Sequence, residues 1–106
     1  MKKFKFDKNT DSLFEAMLCL DGVKEAEKFF RDLCTIDEIR AMSERWRIVK
    51  LLDRDIPYRK ISETIGASTT TVSRVASWLN DGKGGYRLVL DKIAVHHNSS
   101  GVFRKS

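Results

Sequence analysis

The stretch from Tyr58 to Leu79, YRKISETIGASTTTVSRVASWL, limits the possible folds more than any other part of the chain. Ile61 and Ile65 stand four apart and share one face of a short helix, which Gly66 and Ala67 interrupt. Ser68 then offers an oxygen to cap a second helix, where Val72, Val75 and Leu79 recur at spacings of three and four. Two short helices set at a steep angle need a glycine in the turn and small residues where they cross. Ser62, four residues before Gly66, is small enough for that crossing. The spacing therefore predicts a helix-turn-helix over about 57–80.

The outer face of the second helix shows what such a unit is for. It carries Thr69, Thr70, Ser73, Arg74 and Ser77. Solvated helices favour Lys and Glu, whose helix propensity exceeds that of Ser and Thr. A run of hydroxyls is unfavourable in a helix unless those hydroxyls contact something. Base edges and phosphate oxygens in a major groove are suitable partners, and the free N–H groups at a helix start suit a phosphate. Candidate contacts to double-stranded DNA are Ser68, Thr69, Thr70, Ser73 and Arg74, with Lys60 as a phosphate contact or a solvated lysine. Thr71 points more toward the third helix. The plainer alternative is a Ser/Thr-rich cap on an ordinary helical hairpin.

The 106 residues suffice for one domain with a modest core. Twenty basic residues against 15 acidic give a net charge of +5, which favours a polyanion without requiring one. One proline and few β-branched alternations predict an all-α fold of five to six helices. Cys19 and Cys34 match no metal or disulfide framework and are expected as buried thiols in a reducing cytoplasm, with a single disulfide as the alternative. The longest apolar run, Ala16 to Leu20, is too short to span a membrane, and the charges that follow Met1-Lys-Lys leave no signal-peptide core. No nucleophile–base pair, phosphate-binding glycine loop or metal-ligand spacing is present, so neither an enzyme nor a cofactor is expected.

From the N-terminus, residues 1–9 form a basic arm with Lys2, Lys3, Lys5 and Lys8 around Phe4 and Phe6. It either touches phosphates or is a frayed, solvated end. Ser12 with Glu15 matches a capping box for a first helix with Leu13, Phe14, Met17, Leu18 and Leu20, broken at Asp21-Gly22. Val23 to Leu33 forms a second helix, with Phe29 and Phe30 on its apolar face. Thr35 with Glu38 is another capping box, opening a long helix to about Asp53 with Ile36, Ile39, Met42, Trp46, Val49 and Leu52 apolar. Pro57 suits the first turn of the next helix. After the Gly82–Gly85 break a last helix runs from about Tyr86 to Val95, and 96–106 is expected to be a disordered tail. His96 and His97 are adjacent and do not share a helix face, which weighs against a metal site.

The first three helices offer more apolar surface than the helix-turn-helix covers. Either they close into a small bundle or a second copy covers them. A homodimer is favoured because most oligomers are two-fold and duplex sites commonly mirror that symmetry.

The segments DEIRAMSERWRIVKLL, GASTTTVSR and GGYRLVLDK, in this order, resemble the Trp repressor superfamily, and more closely its YerC/YecD-type branch, over about Leu13 to Ala94. The resemblance implies an intertwined all-α homodimer with a domain over 10–95, acting as a cytoplasmic bacterial transcription regulator whose two heads face successive major grooves. Arg59 matches a base-contacting arginine of the family, and such an arginine can take guanine O6 and N7. The family holds tryptophan between two arginines matched here by Arg45 and Arg74, beside a threonine matched by Thr35. The family's glycine and serine at the ligand are Val75 and Trp78 here. Fitting both into a preformed pocket costs about 1–3 kcal/mol or more, so free tryptophan is not expected as corepressor. Two alternatives are the DNA-recognition subunit of a transposase-type system, whose nuclease would sit on another chain, and an RNA-binding or protein-interaction module. Aromatics confined to apolar stripes speak against stacking on single-stranded RNA.

Overall fold

A computed structural model describes residues 4–100. Among these are six helices and no strand: α1 (Lys8–Leu18), α2 (Val23–Leu33), α3 (Ile36–Asp53), α4 (Tyr58–Ile65), α5 (Thr69–Asp81) and α6 (Gly85–Ser100). The fold is all-α, as the sequence implies. The chain divides into two compact units, residues 1–40 and 41–106, with the division inside α3.

In the first unit α1 begins a turn earlier than the Ser12–Glu15 pattern suggests. Asp7 is its N-cap: the Thr10 N–H donates to the Asp7 carboxylate at 2.9 Å, and the Asp7 N–H donates to the Thr10 hydroxyl at 2.8 Å. This reciprocal box satisfies two otherwise orphaned donors, and it moves residues 7–9 from the expected arm to the helix start. The same Thr10 N–H, first among the causes, holds the Asp7 carboxyl below its ordinary pKa. Phe4 and Phe6 precede the cap and meet edge to face, Phe6 also meeting Phe14 with ring centroids 5.7 Å apart. Lys2 and Lys3 lie outside the described residues. The helix ends at Leu18, two residues sooner than expected, because Cys19 and Leu20 turn their N–H groups back three residues to Ala16 and Met17. The Thr35–Glu38 box at the start of α3 forms as expected, with bonds of 2.8 and 3.1 Å. Neither α1 nor α2 contains a buried residue. Both cysteines are free; Cys19 is exposed and Cys34 half-buried. The expectation of buried thiols fails because each occupies a helix C-cap, past the helix's apolar stripe.

The second unit holds the core. Ile48, Val49, Ile61, Val72, Val75 and Leu90 form one buried cluster, with Trp46, Leu52, Ile65 and Leu79 packed around it. The even stripe expected along α3 holds at Val49 and Leu52 but not nearer the helix start. Ile36 and Met42 remain exposed, whereas Ile48, which the stripe omits, is fully buried. Periodicity gives one face per helix, but Ile48 and Val49 are adjacent and both buried, so this part of α3 is covered on two sides. The turn after α3 is a Schellman motif: the Ile56 N–H bonds to the Leu51 carbonyl and the Asp55 N–H to that of Leu52. Asp55 takes the left-handed conformation at φ 59°. Pro57 stands one position before α4, at its N-cap. An Arg87–Asp53 bond of 2.9 Å links α6 to the end of α3, and both side chains are too exposed for it to add much. α6 continues past Val95 to Ser100, since nothing between them breaks a helix. The remainder of the expected tail, 101–106, and the His97 side chain lie outside the described residues. No helix among the described residues is long and apolar enough to cross a membrane.

Ile48→Ala is expected to lower stability by about 2–5 kcal/mol in a denaturant titration, the usual effect of truncating a fully buried branched side chain. The lowered Asp7 pKa means that its cap contributes above the unfolded-state value and is lost as pH falls through the folded-state value. Amide protection at Thr10 and Asp11 should therefore drop in acid, and Asp7→Asn should remove that pH dependence.

Candidate nucleic-acid interface

The α4–turn–α5 unit forms for reasons that can be followed residue by residue. α4 buries Ile61 and ends at Gly66, whose φ of 84° lies in the left-handed region. A Cβ at Gly66 would meet nothing within 4 Å, so the turn needs glycine for its backbone angles and not for space. Ser68 caps α5: its hydroxyl accepts the Thr71 N–H at 3.0 Å and lies 3.0 Å from the Thr71 hydroxyl. α5 buries Val72, Val75 and Ala76 against α4 and α6. It stops at Gly82, where a Cβ would run into the Trp78 carbonyl.

Burial on one side fixes what the other side presents. Thr69, Thr70, Ser73, Arg74 and Ser77 are all exposed. Spacings of three and four place them on one face, opposite Val72 and Val75. Arg59 and Lys60 are exposed in the first turn of α4. From Pro57 to Asn80 the charged side chains are Arg59, Lys60, Glu63 and Arg74, so the unit is basic. Such a face can donate to phosphates and base edges from its arginines and lysine, while its hydroxyls both donate and accept.

Two hydroxyls have a different use from the one spacing suggests. Ser62, expected only as a small residue at the crossing, donates its hydroxyl to the Ala67 carbonyl and is half-buried. Thr71 is half-buried and engaged with Ser68. The signal for Thr71 lay in the sequence, since a serine three residues earlier is a cap pattern; no pattern marks Ser62.

Val75 and Trp78, two of the residues matched to the family's ligand pocket, have different surroundings. Val75 is 1% exposed and belongs to the core cluster. Its side chain is used in packing and does not face an open slot. Trp78 is 46% exposed and lines a groove with Gly82, Lys83, Gly85, Tyr86 and Val89, to which Arg45 and Arg74 do not contribute. Arg45 is half-buried on α3, Arg74 is exposed one turn before Trp78, and Thr35 is the α3 cap in the first unit. Among the described residues no group of three or more His, Cys, Asp or Glu is placed to hold a metal ion.

Residues 8–94 match the Trp repressor protein family. The chain is 41% identical over 86 residues to the uncharacterized protein YerC of Bacillus subtilis (strain 168), covering 81% of this chain and 83% of that one. Its fold is similar to the crystal structure of a TrpR like protein from Eubacterium eligens ATCC 27750. The TM-score is 0.79 at 41% identity, over 83% of this chain and 91% of that chain.

Gly66→Ala should lower stability by about 1 kcal/mol through backbone strain alone. Ser68→Ala should remove a comparable amount by uncapping α5. Equilibrium unfolding of each variant measures both, and a loss beyond about 2 kcal/mol at Gly66 would mean that space as well as φ matters there.

Proposed function

The chain belongs to the Trp repressor family, and on that premise we propose that it is a sequence-specific double-stranded DNA-binding transcription regulator of the repressor type, acting in the cytoplasm as a homodimer. The observation that carries this is the division of α5 into a buried face, Val72, Val75 and Ala76, and an exposed face of hydroxyls and one arginine. The buried face fixes how the exposed one is presented. Thr69 and Thr70, at the start of α5, reach base edges, and their methyl groups suit thymine. Ser73 and Arg74 read a base or grip phosphate. Arg59 takes a guanine edge, Lys60 a phosphate, and Ser68 presents the capped helix start to the DNA backbone.

A second copy of the chain is the proposed cover for its apolar surface. Phe14, Leu18, Val23, Leu33 and Ile36 are 41–84% exposed, and the helices that carry most of them bury nothing. Apolar side chains of this size gain about 1.5–3 kcal/mol each on burial, a strong drive toward association. Two copies related by a two-fold axis would set two α5 helices toward half-sites about one helical turn apart.

Free tryptophan is not the proposed corepressor. Val75 occupies the core where the family has a glycine, and Trp78 carries an indole of its own beside Arg74 on α5. We propose that Val75 and Trp78 together stand in the way of an added tryptophan, so that DNA binding needs no added amino acid.

Selection from a pool of random duplexes should enrich a palindrome with half-sites about one turn apart, equally with and without L-tryptophan. Enrichment only with tryptophan, or micromolar tryptophan binding in calorimetry, would restore the corepressor. Arg59→Ala should relax preference at one base pair of each half-site, by about 1–3 kcal/mol. Sedimentation should give twice the 12.2 kDa of one chain, and Leu18→Asp, at a position 84% exposed in one copy, should shift it toward monomer.

A further inference from the structure

We infer that Ser62 is a positioning residue for DNA reading: its hydroxyl clasps the α4–α5 turn and thereby fixes where α5 starts. This rests on the DNA-binding function proposed above. A serine inside a helix ordinarily turns its hydroxyl to solvent or back to the carbonyl four residues earlier. Ser62 does neither. It reaches forward out of α4 to the Ala67 carbonyl, five residues on, and the bond is partly shielded from water. The Ser62 main chain works on the same turn, since its carbonyl accepts the Gly66 N–H at 2.8 Å. One residue therefore holds the turn through both side chain and backbone.

The location gives the bond its consequence. Ala67 immediately precedes Ser68, the cap of α5, and Ser68 is followed by Thr69 and Thr70 at the start of the exposed face. No backbone N–H reaches the Ala67 carbonyl among the described residues, so the Ser62 hydroxyl supplies its internal partner. Gly66 gives the turn its left-handed angle, but glycine also permits many others. Without the clasp, the Ala67 carbonyl and Ser68 can vary in direction, while the packing of Ala67, Val72 and Val75 against the core keeps the rest seated. The part of α5 that loosens is the part proposed to meet base edges. Phosphate contacts tolerate small displacements of long basic side chains, whereas base contacts depend on direction. Loss of the clasp should therefore weaken specific binding more than non-specific binding.

The expected size follows from the low end of the net worth of a neutral hydrogen bond, which gives about three-fold per turn and about ten-fold for a dimer that orders two turns at once. The test compares Ser62→Ala with the unaltered protein on the selected duplex and on an unrelated duplex of equal length, both proteins fully folded by circular dichroism. Amide exchange is measured at Thr69 to Val72 without DNA. The expected result is an approximately ten-fold fall in the ratio of specific to non-specific affinity, unchanged salt dependence, and faster exchange at those amides. A ratio within two-fold of the original overturns the inference, as does an equal loss on both duplexes, which is what a merely structural role gives. If the unaltered protein selects no sequence, the DNA-reading function fails and the inference with it. Exchange alone then decides whether the clasp orders the turn.

Discussion

The burial of Val72 and Val75 on α5 against Ile48 and Val49 of α3 and Ile61 of α4 is the interaction on which the rest of the second unit depends. The cluster joins four helices through a handful of aliphatic side chains. β-branched residues in helices have few rotamers, so a core of Ile and Val loses little side-chain freedom on packing and sets helix positions sharply. Every exposed residue of α5 inherits its direction from this contact. The polar face needs no stabilising interactions of its own; it is held from behind.

The turn elements around that core divide the work. The Schellman turn at Asp55 ends α3, Gly66 reverses the chain between α4 and α5, and Gly82 lets the backbone close over the Trp78 carbonyl. In each, local hydrogen bonds or backbone angles set the geometry while the apolar cluster supplies most of the energy. The first unit differs in kind. The starts of α1 and α3 are capped by Asp7 with Thr10 and by Thr35 with Glu38, the Gly22 start of α2 has no side-chain cap, and α1 and α2 bury nothing.

Helices α2 and α3, the two-helix unit and the exposed face of α5 were legible because they rest on local rules: spacing of apolar residues, capping pairs and a glycine between two stripes. The misreadings arose where local rules compete. Ser12–Glu15 and Asp7–Thr10 are both plausible caps for one helix, and the earlier one prevails because extending an existing helix adds hydrogen bonds without a second nucleation. Ile48 was invisible to a stripe that allots each helix one buried face. The Ser62 hydroxyl had no pattern to announce it, since its partner is a backbone carbonyl that every residue possesses.

The sequence by itself determined the class of fold, the two-helix unit and which side chains stand on the outside of α5, because helix periodicity turns spacing directly into a face. Only the tertiary structure decided that Ile48 is fully buried, that Trp78 is left half-exposed beside Tyr86 and Val89, and that the Ser62 hydroxyl is committed to the turn. The physical reason is the same in each case. A side chain's use depends on what packs against it from elsewhere in the chain, and that neighbour is fixed by the closing of the core, not by the order of residues along one helix.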